Sequence, residues 1–265
     1  GLGDVYKRQH LHHGRTFVIS FAGEVVADRT LLNHLVMDVS LIASMGMRVV
    51  IVHGSRPQIE ELMSLRKLEG QFYKGVRITG PQELECVKEA CGETRFDIEA
   101  AFSQGLPNTP MQHSRIKVVS GNFVTARPMG IIDGVDYLHT GVVRKVDAES
   151  IQDLLSRGNI VLVIPTGFSP TGEAFNLTTE DVATAIAVAI HADKLILSVG
   201  VDGVRIQGEK QQDLTAQQAQ ALIQSKQVDD EDVYNLGYAL RAIKGGVYRV
   251  HIVPYAMDGG ILTEL

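Results

Sequence analysis

Two short segments carry the residue types that anion chemistry uses. The first is Ser20-Phe21-Ala22-Gly23-Glu24 and the second is His53-Gly54-Ser55-Arg56-Pro57-Gln58. Each follows an apolar run and precedes a stretch with helical spacing. A glycine at such a turn lets the backbone approach a ligand, and the first turn of the helix offers N–H groups without intrahelical partners to a negative charge. A phosphate or a carboxylate is the chemistry that this pattern serves. The same pattern also makes a plain tight turn, so these segments alone leave both roles open. Glu180 and Asp181 open an Ala/Val-rich helical stretch, where acidic side chains favour the helix dipole with no ligand involved. His10, His12 and His13 cluster near the amino end, His139 and His191 stand alone, and no His/Cys group has metal-ligand spacing.

The elements that must position the turns alternate along the chain. Residues 16–21 read as a strand. Residues 30–45 read as a helix with Leu31, Leu35, Val39 and Ile42 on one face and Gly46 as its stop. Residues 48–52 form a continuous apolar strand, and 59–68, 81–90 and 97–104 read as three helices. Residues 117–120 and 135–140 flank turn residues and are expected to pair as a hairpin. Asp147 caps a helix that runs to Arg157 and ends at Gly158. Strands are expected at 160–165, 195–199 and 248–253, and helices at 179–191, 215–223 and 233–244. Strands alternating with helices of this length imply βαβ units and a mostly parallel sheet. The apolar runs at 49–52, 161–164 and 195–197 suit strands covered on both faces. Ligands of such sheets sit at the carboxyl ends of the strands. The expectation is an α/β fold forming one domain with two lobes.

Composition narrows the function classes. The chain has 265 residues, 45% hydrophobic and 21% charged, with a formal net charge of -6, so nothing favours a nucleic-acid or membrane surface. No apolar run reaches the ~20 residues that span a bilayer. Cys86 and Cys91 are the two cysteines, which argues against a disulfide framework and makes the cytoplasm the expected compartment. Residues 1–9 match nothing that follows and lack the apolar core of a signal peptide. Residues 1–14 are therefore read as a non-native or disordered tail, and 15–265 as the domain.

In order along the chain, "GRTFVIS", "VIVHGSRPQIE", "VVSGNFVTARPMGIIDGVDYLHTG" and "GEAFNLTTEDVATAIA" follow the pattern of the amino-acid kinase family. From Arg15 onward the chain resembles the kinase-like domain of bacterial N-acetylglutamate synthases, with the acetylglutamate kinases as the next relatives. The resemblance implies the carbamate kinase-like fold, a mostly parallel sheet between two helical layers. Kinases of the family carry Lys-x-Gly-Gly in the first strand and His-Gly-Gly-Gly in the second loop. Here Ser20 and Ala22 replace the Lys and the first Gly, and Ser55 and Arg56 follow Gly54. A second kinase Lys is matched by Asn235. Phosphoryl transfer depends on cations that neutralise the moving charge, and one preorganised donor is worth roughly 10²–10³ in rate. Loss of both Lys implies negligible kinase activity and no catalytic residue in this chain.

The resemblance then implies a regulatory role. It assigns acetyl transfer (acetyl-CoA and L-glutamate to N-acetyl-L-glutamate, the first step of arginine biosynthesis) to a separate acetyltransferase domain beyond Leu265. The chain is thus read as a fragment, inactive by itself and with no cofactor of its own. L-arginine is the implied feedback effector, with Lys194 and Glu264 at its site. Its affinity here is expected to be weak, because an N-terminal helix that walls the site in relatives is replaced. Ser20, Gly23, Gly54, Ser55, Arg56, Arg77, Asn176 and Asn235 are the implied relic of the substrate and phosphate pocket. A homo-oligomer, a dimer at most, is expected. The competing reading is an acetylglutamate kinase that phosphorylates N-acetyl-L-glutamate with ATP.

Overall fold

In the computed structural model, residues 14–104, 116–198, 204–206, 209–211, 215–226, 228 and 230–253 are described. Six apolar runs form its central sheet. In sheet order these are Arg249–Val253, Lys194–Ser198, Thr16–Phe21, Arg48–His53, Ile160–Val163 and Val118–Val119, all parallel. Side chains alternate across each strand, so each run feeds two cores. Val18, Val50, Val52, Val161, Leu195 and Leu197 pack under helices Thr179–Ala189 and Asp230–Lys244. Phe17, Ile19, Val49, Ile51, Leu162 and Ile196 pack under helix Arg29–Ser44 and the distal part of helix Pro81–Ser103. The expected three-layer α/β architecture is the one observed.

Local chemistry sets the element ends. The Asp28 carboxylate accepts from Thr30 N at 3.0 Å and Leu31 N at 3.2 Å, capping helix Arg29–Ser44. Asp147 caps helix Ala148–Ser156, and Gly158 follows it at φ 84°. Thr215 and Gln218 form a capping box on helix Ala216–Ser225. No helix among the described residues is long and apolar enough to cross a membrane.

Three expectations are corrected. Residues 81–90 and 97–104 are parts of one 23-residue helix, Pro81–Ser103. Gly92 costs helix propensity without breaking it, because Leu84, Cys86, Val87, Ala90, Cys91, Thr94 and Ile98 keep one buried face throughout. The helix expected at 59–68 starts earlier, as Arg56–Leu65, with Pro57 in its first turn where a missing N–H costs nothing. The hairpin expected between 117–120 and 135–140 does not form. Val118–Val119 lies at the edge of the central sheet, and Val135–Asp136 pairs with Ile131–Ile132. A second, four-stranded sheet was not anticipated. Its order is Ala174–Asn176, Thr166–Phe168, Val124–Pro128, Gly141–Val146.

Strand order places a switch point beside the first strand. From Thr16–Phe21 the chain builds outward through Arg48–His53 and Ile160–Val163, then returns to the other side at Lys194–Ser198. In open parallel sheets the ligand crevice lies at such a point, at the carboxyl ends of the strands.

Candidate functional site

The two glycine turns meet at that end of the sheet. Gly54 N donates to Phe21 O at 2.7 Å, and Gln58 Nε2 donates to Gly23 O at 2.8 Å. Neither glycine has a positive φ, so close approach is what requires them. A Cβ on Gly23 would lie 2.5 Å from Gln58 Oε1, 2.9 Å from Pro57 Cδ and 3.0 Å from Ser55 Cα. One on Gly54 would lie 3.1 Å from Gly23 N and 3.4 Å from Thr179 Oγ1. The turns and the entry of helix Thr179–Ala189 therefore pack against each other. Ser20 is 1% exposed and pairs in register with Val52 and Leu197. By alternation it shares the face of Val18, beneath the helices Thr179–Ala189 and Asp230–Lys244.

Behind the second turn lies a buried polar cluster. His53 Nδ1 is 3.1 Å from Gly54 O and 3.2 Å from Ser55 Oγ, and the Ser55 hydroxyl also bonds the Cys91 thiol. A carbonyl only accepts, so Nδ1 carries the proton in the neutral ring and Nε2 is bare. That Nε2 is buried with no hydrogen-bond partner. Burial pulls the His53 pKa down to about 4, the Gly54 carbonyl opposes this, and the Arg95 charge adds to it. Burial pushes the Cys91 thiol up to about 11, so it is no nucleophile at neutral pH.

The two arginines stand apart from the turns. Arg56, with a side chain 58% exposed, reaches Glu60 Oε1 at 3.4 Å. Arg77, 7% exposed, reaches the same oxygen at 3.6 Å. Both guanidinium carbons lie over the Phe72 ring, at 5.1 and 4.5 Å from its centroid. Arg77 Nη1 donates to Met63 Sδ at 3.3 Å, and its buried Nη2 makes no hydrogen bond. Burial lowers the Arg77 pKa, with the Glu60 carboxylate opposing.

Asn176 is held elsewhere. Its Nδ2 donates to Thr79 Oγ1 at 3.1 Å, in a group with Thr140 and the Arg77 carbonyl. Lys194 is buried at the amino end of its strand, paired in register with Phe17, three residues before Ser20 on the neighbouring strand. At ~3.3 Å per residue this puts it about 10 Å from Ser20 and further still from the glycine turns, which lie at the opposite end of the strands. Asn235 lies in helix Asp230–Lys244, and Glu264 lies outside the described residues. Sequence reasoning named Gln58 within the second turn without giving it a role of its own, and it missed Thr79, Thr140 and Arg241. Arg241 pairs with the Asp181 carboxylate, whose other oxygen accepts from Val143 N at 3.0 Å.

The family model described as "Amino acid kinase family" matches residues 15–254. An amino-acid acetyltransferase of Ralstonia nicotianae is 53% identical over 257 residues, which is 97% of this chain and 57% of that protein. The solved N-acetylglutamate synthase of Neisseria gonorrhoeae, complexed with coenzyme A and L-arginine, superposes with a TM-score of 0.91 at 32% identity, over 99% of this chain and 61% of that one. A carbamate kinase of Giardia lamblia bound to AMP-PNP superposes with a TM-score of 0.69 at 13% identity, over 95% of this chain and 96% of that one, a likeness of fold alone. The chain thus spans about three fifths of the acetyltransferase and synthase relatives quoted.

Proposed function

The chain belongs to the amino acid kinase family, and from that premise we propose that it is a kinase-inactive domain that senses L-arginine within an N-acetylglutamate synthase. The observation that carries the first half is the state of the glycine turns. A Cβ at Gly23 would meet Gln58, Pro57 and Ser55, and one at Gly54 would meet Gly23 and Thr179, so the two turns lie close against each other and against the start of helix Thr179–Ala189. A phosphate at such a turn needs the helix N–H groups and, for transfer, a cation beside them. Ser20, buried in the first strand, supplies a hydroxyl where kinases of the family carry an ammonium. Phosphoryl transfer relies on cations at that position.

Support for arginine comes from the gonococcal synthase, crystallised with L-arginine and alike over nearly all of this chain. Lys194, buried at a strand start, is the described member of the proposed effector site. The relic pocket has narrower support. Arg77 holds a desolvated cation whose Nη2 has no hydrogen bond, the residue type that a carboxylate pairs with in a bidentate fork.

Two measurements on this chain test the proposal. With ATP and N-acetyl-L-glutamate, no acyl phosphate is expected above background, and steady turnover would establish the kinase reading instead. In calorimetry, L-arginine is expected to bind weakly and L-lysine not at all, with binding lost in Lys194→Ala. Equal responses to both amino acids, or none to L-arginine at millimolar concentration, would remove the sensing role.

A further inference from the structure

The strongest unassigned feature is a chain of hydrogen bonds at the root of two hairpins. The first hairpin is Gln71–Tyr73 with Val76–Ile78, and the second is Ile131–Ile132 with Val135–Asp136. Thr79 is fully buried and Thr140 is 2% exposed. The Thr140 hydroxyl reaches the Arg77 carbonyl, Thr79 Oγ1 is 2.7 Å from Thr140 Oγ1, and Asn176 Nδ2 is 3.1 Å from Thr79 Oγ1.

Proton counting gives these bonds one direction. A carbonyl only accepts, so the single Thr140 proton goes to Arg77 O. Thr140 Oγ1 must then accept from Thr79, and Thr79 Oγ1 must accept from the Asn176 amide. Turning the amide round would place its oxygen against Thr79, whose only proton is already committed. The directed series Asn176, Thr79, Thr140, Arg77 is the arrangement that satisfies every group. Series of this kind polarise one another, and a buried hydroxyl without a partner is costly.

The backbone reinforces the same junction. His139 N donates to Thr79 O at 2.8 Å, Asn176 N to His139 O at 2.8 Å, and Met129 N to Thr140 O at 3.0 Å. Nearer the tips, Lys74 Nζ meets Asp133 at 2.8 Å and Tyr73 OH meets Asp133 at 3.1 Å at exposed contacts, and the buried Tyr137 donates its hydroxyl to the Tyr73 carbonyl at 3.0 Å. Asn176 closes the strand Ala174–Asn176, two residues before the cap of helix Thr179–Ala189.

We propose that Asn176, Thr79 and Thr140 form a latch that makes the two hairpins and the entry of helix Thr179–Ala189 one mechanical unit. Asn176 is thereby a positioning residue, its amide already committed to Thr79. The latch does not depend on which ligand the domain takes.

Hydrogen exchange read by mass spectrometry tests the latch. In Thr79→Val and in Thr140→Val, peptides covering 71–78 and 131–136 are expected to exchange roughly tenfold faster or more, while 49–52 and 195–197 keep their protection. Thr79→Ser keeps the hydroxyl and is expected to behave as the parent. The double valine variant is expected to match either single one, since one break severs the series. Lys74→Ala, at the exposed contact, is expected to change little. Should a valine variant fail to fold, Asn176→Ala at the half-buried end gives the same reading. Unchanged hairpin exchange in Thr79→Val or in Asn176→Ala, or equal acceleration of the core strands, would overturn the latch.

Discussion

The glycine turns and the surroundings of the Arg77 guanidinium are two places among the described residues where the fold could meet an anion, and they are built in opposite ways. At the turns the buried groups are neutral and the two backbones are tied to each other, although His53 Nε2 and Gln58 Oε1 are buried without a hydrogen-bond partner. Gln58 donates to the Gly23 carbonyl, Phe21 accepts from Gly54, and the buried residues are the neutral Ser20, His53 and Ser55. At Arg77 the guanidinium is 7% exposed, bonds a thioether, and shares the half-exposed Glu60 carboxylate with Arg56 at 3.6 Å. Burial without full compensation is what makes a cation available to a ligand. The contrast teaches that, on the proposed reading, a fold can lose a phosphate site and keep an anion site as separate events.

The largest expected effect strikes at the turns. Ser20→Lys restores the residue type that kinases of the family use, but places an ammonium at a position 1% exposed with Val52 and Leu197 beside it. An uncompensated buried charge costs about 3–5 kcal/mol. Chemical denaturation is expected to show a loss of that order, and no ATP turnover is expected to appear. Recovery of turnover would mean that the turns open and that the contrast is wrong.

The next effect is pH-dependent. The folded pKa of His53 is about 4 against an ordinary 6.5, so below pH 6.5 the unfolded chain takes up a proton that the folded one refuses. Stability is therefore expected to fall as pH drops from about 6.5 to about 4, by about 3 kcal/mol in all. Denaturation midpoints across that window check it. His53→Asn should flatten the slope, and an unchanged slope would show that His53 is charged or solvated in the folded protein.

How far the residues announce this arrangement depends on sequence distance. The strands Arg48–His53, Ile160–Val163 and Lys194–Ser198 were legible because unbroken apolar runs bounded by turns have few other uses. Gly23 and Gly54 were legible as turns for the same local reason. The second sheet was not, because Thr166–Phe168 and Ala174–Asn176 have three residues each and show no period. Residues 81–90 and 97–104 read as separate helices although one buried face runs through both and across Gly92, a continuity that shows only once the helix is packed. The residues that set the character of the site were the least visible. Gln58 finds Gly23 35 positions away, Thr79 finds Thr140 at 61, and Arg241 finds Asp181 at 60. No local pattern encodes such partnerships.

The smallest effects test the Arg77 side of the contrast. Arg56 and Arg77 share a ring and a carboxylate, so burial is the variable that separates them. For Arg56, 58% exposed, water already solvates the charge, and the pair with Glu60 adds little. Arg56→Met is expected to change stability by less than about 0.5 kcal/mol. For Arg77, methionine keeps much of the apolar stem against Met63 and Phe72 while removing a poorly compensated charge. Replacing a buried charge by an apolar side chain is often neutral or stabilising, so Arg77→Met is expected to leave stability unchanged or raise it by up to about 1 kcal/mol. Chemical denaturation of both variants decides the point. A loss above about 2 kcal/mol in Arg77→Met would mean that Glu60 and Met63 compensate the guanidinium fully. The Arg77 cation would then be no more available to a ligand than the neutral groups of the turns, and the difference between the two regions would vanish.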